Sequence, residues 1–202
     1  MSVEPYKVLA LKYRPSQFSE LVGQDTLVKT LRNSVRSNRV GHAFLLHGDR
    51  GVGKTSTARL IAKALNCSEK KDGDAEPCNS CSNCKSIQMG RHVDVIEMDG
   101  ASKTGVNDIR EIIETVVYRA ASAKFKVYII DEVHMLSNSA FNALLKTLEE
   151  PPEHVKFIFA TTEIKKIPLT ILSRVSRFDL RRVESDVLTN HLLAILQSEG
   201  LS

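Results

Sequence analysis

Tryptophan is missing from this 202-residue sequence, and aromatic residues make up only 5% of it. The few phenylalanines and tyrosines do not interleave with basic residues, so a surface on which successive single-strand bases stack is not expected. No stretch approaches the roughly 18 consecutive apolar residues needed to cross a bilayer. The N-terminus, MSVEPYKVLALKYRP, lacks the basic-then-apolar order of a secretory signal, and the cytoplasm is the expected compartment. Internal repeats and low-complexity tracts are also absent. Cysteine is confined to one place, with all four between Cys67 and Cys84. A cytoplasmic chain keeps its thiols reduced, so a metal site is the better reading than disulfides.

What remains is the composition of a globular protein, with 42% hydrophobic residues and a net charge of +4. That charge permits nucleic-acid contact without demanding it. Short apolar runs at 43–46, 93–98, 126–130, 156–160 and 177–180 read as strands, the first four hydrophobic almost throughout, as strands covered on both faces of a parallel sheet should be. Helical periodicity lies between them. Ile109, Ile112, Ile113 and Val116 share one face. Phe141, Leu144, Leu145 and Leu148 share another, ended by Pro151 and Pro152. The expectation is an α/β fold, a five-stranded parallel sheet with helices on both faces. Residues 68–83 break the rhythm and read as an insertion held by the cysteines, with Gly73, Pro77 and Asn79 as breakers. Ser185 is the expected N-cap of a final helix to about residue 199, with Gly200 ending it.

The strongest signal is Gly48-Asp49-Arg50-Gly51-Val52-Gly53-Lys54-Thr55, a complete G-x-x-x-x-G-K-[ST] between a strand and a helix expected at 55–65. Its glycines let backbone N–H groups turn inward around a phosphate, and the helix N-terminus adds partial positive charge. Lys54 can reach the β- and γ-phosphates, and the Thr55 hydroxyl can bind Mg²⁺; Val52 and Ser56 complete the lining. At the end of the strand at 126–130, Asp131 can hold the metal and Glu132 can polarise an attacking water as general base. These residues describe an ATP-hydrolysing site.

Further residues resemble one family. Asp131-Glu132-Val133-His134 resembles the DExH motif of the clamp-loader ATPases, of the AAA+ class. Ser173-Arg174-Val175 is similar to their Ser-Arg-Cys motif, with Val175 in place of the cysteine. Tyr13-Arg14-Pro15 and Val22-Gly23-Gln24 resemble the segment that wraps the adenine, and the run from Phe141 to Pro152 matches as well. The resemblance covers nearly the whole chain. It implies an AAA+ ATPase domain over 1–182 with a zinc module inserted at about 66–87, and residues 183–202 as the beginning of a helical lid. In the family the lid carries a second sensor arginine, and a collar domain follows. The implied activity is ATP hydrolysis that drives loading of a sliding clamp onto primed DNA during replication. The implied partners are other clamp-loader subunits in a ring-like hetero-oligomer, the sliding clamp, and primed DNA held by its backbone.

By that resemblance Thr162 matches the first sensor, Arg174 the arginine finger acting on a neighbour's ATP, and Tyr13 and Val22 line the adenine site. His134 belongs to the DExH motif and links nucleotide state to DNA contact; the other five histidines read as structural or solvated. Cys67, Cys78, Cys81 and Cys84 form a four-thiolate set whose two C-x-x-C steps suit a structural zinc or an iron–sulfur cluster, and the family favours zinc. Lys103, Thr104 and Asn107, where a loop enters a helix, face DNA in the family, and a helix start suits phosphate contact without base reading.

Overall fold

The computed structural model describes residues 8–37, 39–70 and 74–200. Gly73 and the outer ends of the expected ATPase domain and lid, residues 1–7 and 201–202, lie outside that range. Five strands form: β1 (Ala43–His47), β2 (Val95–Asp99), β3 (Lys126–Asp131), β4 (Val155–Thr161) and β5 (Ser176–Asp179). The helices are α1 (Leu9–Lys12), α2 (Asp25–Arg36), α3 (Lys54–Asn66), α4 (Ser82–Gln88), α5 (Val106–Val116), α6 (Asn138–Glu149), α7 (Leu169–Leu172) and α8 (Ser185–Ser198). All strands pair in parallel in the order β2-β3-β4-β1-β5. The expected parallel sheet is therefore present.

Side chains alternate along each strand and so split the core into two layers. Phe44, Leu46, Val127, Ile129, Ile158 and Ala160 face α2 and α3. Leu45, Tyr128, Ile130, Phe157 and Phe159 face α5, α6 and α7 on the other side. Burial on both faces holds for β1, β3 and β4. It fails for β2, which is half-buried because the strand order puts it at a sheet edge; β5, at the other edge, is mostly exposed.

Local signals set the helix ends. The Ser137 hydroxyl accepts the Ala140 N–H at 3.2 Å and starts α6. Ser185 is the first helical residue of α8, and extended Glu184 takes the cap position without a side-chain bond. Gly200, at φ +70°, supplies the left-handed turn that ends α8. The insertion is not wholly irregular: its last part forms α4, capped by the Cys81 sulfur, which accepts from the Cys84 amide.

The segment between α5 and β3 has no regular structure, and one carboxylate organises it. Asp94 is buried and accepts the amides of Ala121 (2.7 Å), Ser122 (2.8 Å) and Ala123 (3.0 Å), and the Ser122 hydroxyl (3.1 Å). Burial opposes ionisation, but the amide bonds outweigh it and hold the carboxyl below its ordinary range. Because the folded value lies below the unfolded one (about 3.9), this stabilisation is complete above that pH and is lost as pH falls through the folded value. Asp94→Asn is expected to lower stability by about 1–3 kcal/mol at pH 7 and by clearly less at pH 3. Urea unfolding at the two pH values checks this; an equal loss at both would contradict it.

Candidate functional site

The C-terminal ends of β1, β3 and β4 lie side by side, and the chain leaves each of them carrying a residue for the same cleft. The loop after β1 begins at Gly48, where a Cβ would sit 2.7 Å from the Leu180 carbonyl oxygen, so no side chain fits. Gly51 (φ +84°) and Gly53 (φ +98°) hold the left-handed conformations that turn the loop into α3. Lys54 follows, buried, its Nζ donating to the carbonyls of Gly48 (3.0 Å) and Asp49 (2.9 Å). No carboxylate lies among those acceptors. A buried ammonium over a cradle of backbone N–H groups suits an anion.

Thr55 Oγ1 donates to Asp131 Oδ2 at 2.6 Å. Two hard oxygen donors from α3 and β3 thus converge, the donor chemistry that suits Mg²⁺. Glu132 has a left-handed backbone (φ 44°, ψ 46°), which costs a non-glycine residue of order 1 kcal/mol or more. Its turn packs against Gly100, where a Cβ would fall 2.8 Å from the Glu132 carbonyl oxygen, and the Gly100 amide donates to Asp131 O at 2.8 Å. Glu132 Oε2 accepts from the Thr162 hydroxyl (3.1 Å) and amide (3.3 Å). Buried His134 has Nδ1 3.0 Å from Thr161 Oγ1 and 3.3 Å from Glu132 Oε2, with Nε2 3.3 Å from Glu163 Oε1.

Two adjoining clefts share Gly51, Gly53 and Ser56. One, about 300 Å³, is lined by Lys54, Thr55, Asp131 and Glu132, with Arg14 and Arg50. The other, about 230 Å³, is more apolar and is lined by Tyr13, Val22, Val52, Val183, Leu188 and His191. A charged end joined to an apolar end fits a nucleotide. His191, read from sequence as structural or solvated, lines the second cleft. The N-terminal segment is tied down by the Tyr13 hydroxyl, 2.6 Å from Ser198 Oγ. The Gln24 amide exchanges bonds with the Arg181 backbone at 2.7 and 3.0 Å.

Arg174 lines neither cleft. It donates to Thr170 O (2.6 Å), Ser173 Oγ (3.1 Å) and Glu149 Oε1 (2.6 Å). Lys103, Thr104 and Asn107 are exposed around the start of α5, with Asn107 engaged by Arg110 at 3.3 Å. Gly100 escaped sequence reasoning, while Arg14, Arg50 and Glu149 lay inside motifs read there and were given no site role of their own. Gly100 carried a signal, a glycine directly after a strand; Glu149 carried none outside the fold.

The cysteine sulfurs all lie within 4.8 Å of one another and none is in a disulfide. A tetrahedral ion with about 2.3 Å metal–sulfur bonds needs sulfurs about 3.8 Å apart, and Cys78 and Cys84 stand at 4.0 Å. The Cys78, Cys81 and Cys84 amides donate to the sulfurs of Cys67, Cys78 and Cys81 at 3.3–3.4 Å. Burial raises the Cys81 thiol, but the Ser68 side chain and the amides of Cys84 and Ser68 outweigh it and bring it down to about 6. The set fits one tetrahedral cation. Glu76 latches the module to the N-terminal segment, accepting the Phe18 amide (2.7 Å) and Arg32 Nε (2.9 Å).

Residues 23–184 match the model of the family described as DNA polymerase III, delta subunit. The chain belongs to that family. Among the relatives of this DNA polymerase III family member is the subunit tau/gamma of Haemophilus influenzae, 52% identical over 97% of this chain and 28% of that protein. The tau subunit of Escherichia coli is 51% identical over 98% of this chain and 30% of its own length. The gamma subunit of Buchnera aphidicola (Acyrthosiphon pisum) is 49% identical over 97% of this chain and 54% of its own. The chain thus spans between about a quarter and a half of these relatives. Among solved structures, a gamma subunit-related protein of Thermotoga maritima superposes with a TM-score of 0.53 at 22% identity, over 84% of this chain and 53% of that one. The RuvB Holliday junction branch migration motor of the same organism gives 0.55 at 20% identity, over 83% of this chain and 48% of that one. At such identities they speak for the fold alone, a five-stranded parallel sheet with helices on both faces. Among the described residues no helix is long and apolar enough to cross a membrane.

Titrated with cobalt(II) as a spectroscopic stand-in for zinc, the reduced protein is expected to develop thiolate-to-metal charge-transfer absorption, and Cys84→Ser to weaken that binding at least tenfold or so. Absorption unchanged by Cys84→Ser would remove the four-thiolate reading.

Proposed function

We propose that this chain is the ATP-hydrolysing part of a clamp-loader motor subunit of DNA polymerase III, which uses ATP binding and hydrolysis to load a sliding clamp onto primed DNA during replication. The observation that carries the reading is the meeting of Lys54, Thr55, Asp131 and Glu132 at one edge of the sheet, in a chain about half identical to tau and gamma subunits. Lys54 and the loop amides bind the β- and γ-phosphates, while Tyr13 and Val22 flank the base in the adjoining cleft. Thr55 and Asp131 hold Mg²⁺, which when bound neutralises charge developing on the transferred phosphoryl group. Glu132 orients a water and takes up its proton, and Thr162 fixes the Glu132 carboxylate and senses the γ-phosphate.

Arg174 serves a neighbouring subunit. Its guanidinium lies outside its own chain's clefts, and a planar, permanently charged fork suits the γ-phosphate of an ATP bound next door. Glu149 holds it meanwhile. Residues 1–182 make up the ATPase domain, and residues 183–202 begin a lid whose α8 closes over the base. Lys103, Thr104 and Asn107 take DNA phosphates at the start of α5. The cysteine module holds a structural zinc. The partners are other clamp-loader subunits in a ring, the sliding clamp and primed DNA.

The test is ATP turnover by the full-length parent protein with its partner subunits, with and without primed DNA and clamp. Turnover is expected to rise when both are present. Arg174→Ala should remove most of that rise, about a hundredfold or more in rate, while ATP binding stays intact. Lys54→Ala should lose nucleotide binding itself. Turnover indifferent to the clamp, or an Arg174→Ala variant as active as the parent, would overturn the reading.

A further inference from the structure

Glu76 lies in the cysteine module, and its carboxylate binds outside it. It accepts the amides of Phe18 (2.7 Å) and Ser19 (3.2 Å) and pairs with Arg32 of α2. Those two amides open the single turn Phe18–Glu20, whose own cap residue, Gln17, supplies no side-chain bond. Close by, Asn79 Nδ2 donates to Ser16 Oγ at 3.4 Å. Buried Lys63 donates to Ser16 O (3.1 Å) and to Gln88 Oε1 of α4 (3.5 Å). Among the described residues, every hydrogen bond from residues 16–19 to a distant part of the chain goes to the module or to Lys63 beside it.

Residues 16–19 are the middle of a wall. Tyr13, Pro15, Glu20, Leu21, Val22 and Gln24 line the more apolar cleft, the one that fits a base, whereas Glu76 lines neither cleft. The two ends of the wall are fastened elsewhere, Tyr13 on Ser198 and Gln24 on the Arg181 backbone. At the phosphate end, Lys54, Thr55 and Asp131 bond to one another and to the loop after β1.

Glu76 can hold the wall only while its own backbone is held. It stands between Cys67 and Cys78 in a stretch without helix or strand, and Pro77 limits it to extended backbone. What closes that stretch is the meeting of Cys67 with Cys78, Cys81 and Cys84. An ion bound by all four sulfurs takes away much of the loop's conformational freedom.

We infer that Glu76 is a positioning residue of the nucleotide site, through which a metal on the cysteines and the base of the nucleotide favour each other's binding. Closed by the metal, the module fixes Glu76, Glu76 fixes residues 16–19, and the cleft keeps the shape that receives the base. This coupling rests on the nucleotide and metal readings above and joins them. As a link between two binding equilibria it acts equally in both directions. It reaches the base end of the ligand and leaves the phosphate end alone.

The experiment uses the full-length reduced protein, with metal and after chelation and desalting, beside metal-loaded Glu76→Gln. Affinity is measured for MgATP and for magnesium tripolyphosphate, which has no base. Cobalt(II) affinity, read from its thiolate absorption, is measured with and without MgATP. Removing the metal is expected to weaken MgATP about fivefold or more, and tripolyphosphate less than about twofold. Glu76→Gln, which keeps all four thiols, should reproduce that split with the metal still bound. MgATP should tighten cobalt(II) binding by the same factor in the parent protein and hardly at all in Glu76→Gln. Equal weakening of both probes would mark the module and Glu76 as general supports of the fold and overturn the inference. So would MgATP affinity indifferent to the metal and to Glu76→Gln, or cobalt(II) binding indifferent to MgATP. A parent protein that binds neither probe fails the nucleotide-site reading, one that binds MgATP but no cobalt(II) fails the metal reading, and the coupling falls with either.

Discussion

The hydrogen bond between Thr55 and Asp131 joins residues 76 positions apart in sequence, and it can form only because β4 alone separates β1 from β3. All three strands run in the same direction and in fixed register, so their C-terminal ends reach the same edge together. The loop after β1 brings the phosphate cradle, the turn after β3 brings two carboxylates, and the end of β4 brings Thr161 and Thr162. The phosphate end of the cleft hangs on that alignment. A slip of one residue in β3 would move Asp131 away from Thr55 and turn its apolar side chains to the wrong layer.

Close backbone approaches keep the alignment tight. Gly48 is pressed against Leu180 and Gly100 against the carbonyl oxygens of Asp131 and Glu132. Glu132 sits in a left-handed conformation that its neighbours must hold in place, and Thr162 and His134 grip its carboxylate. The N-terminal segment is added from outside the sheet. Tyr13, Gln24 and Glu76 fasten it to α8, to the backbone after β5 and to the cysteine module. The base end of the cleft thus depends on side-chain bonds between distant segments, the phosphate end on the sheet itself.

That difference decides what could be read from the sequence. The glycine-rich loop, Asp131 and Glu132 are local strings whose spacing is dictated by one turn each, and their flanking apolar runs located them on strand ends. The four cysteines were legible for the same reason. The edge strand β2 was harder, because it carries apolar residues enough to resemble a buried strand, while strand order is a non-local property. Arg14 lay inside a segment assigned to the base, and its place in the phosphate cleft follows only from how that segment folds back over α3. Glu149 became visible only once α6 and α7 packed together and brought it to Arg174.

The two rims of the sheet bear on how the protein stays apart from other chains. A parallel sheet open at both sides offers unpaired N–H and C=O groups along its outermost strands, a template for aggregation. Here the outer strands are short, and each presents exposed charge: Glu97 and Asp99 on β2, Arg177 and Asp179 on β5. Arg177 pairs with Asp179 at 2.8 Å within the strand itself, and His47 braces the same carboxylate. A foreign strand laid along either rim would have to strip water from these groups, so the sheet can stay open-sided without recruiting further strands.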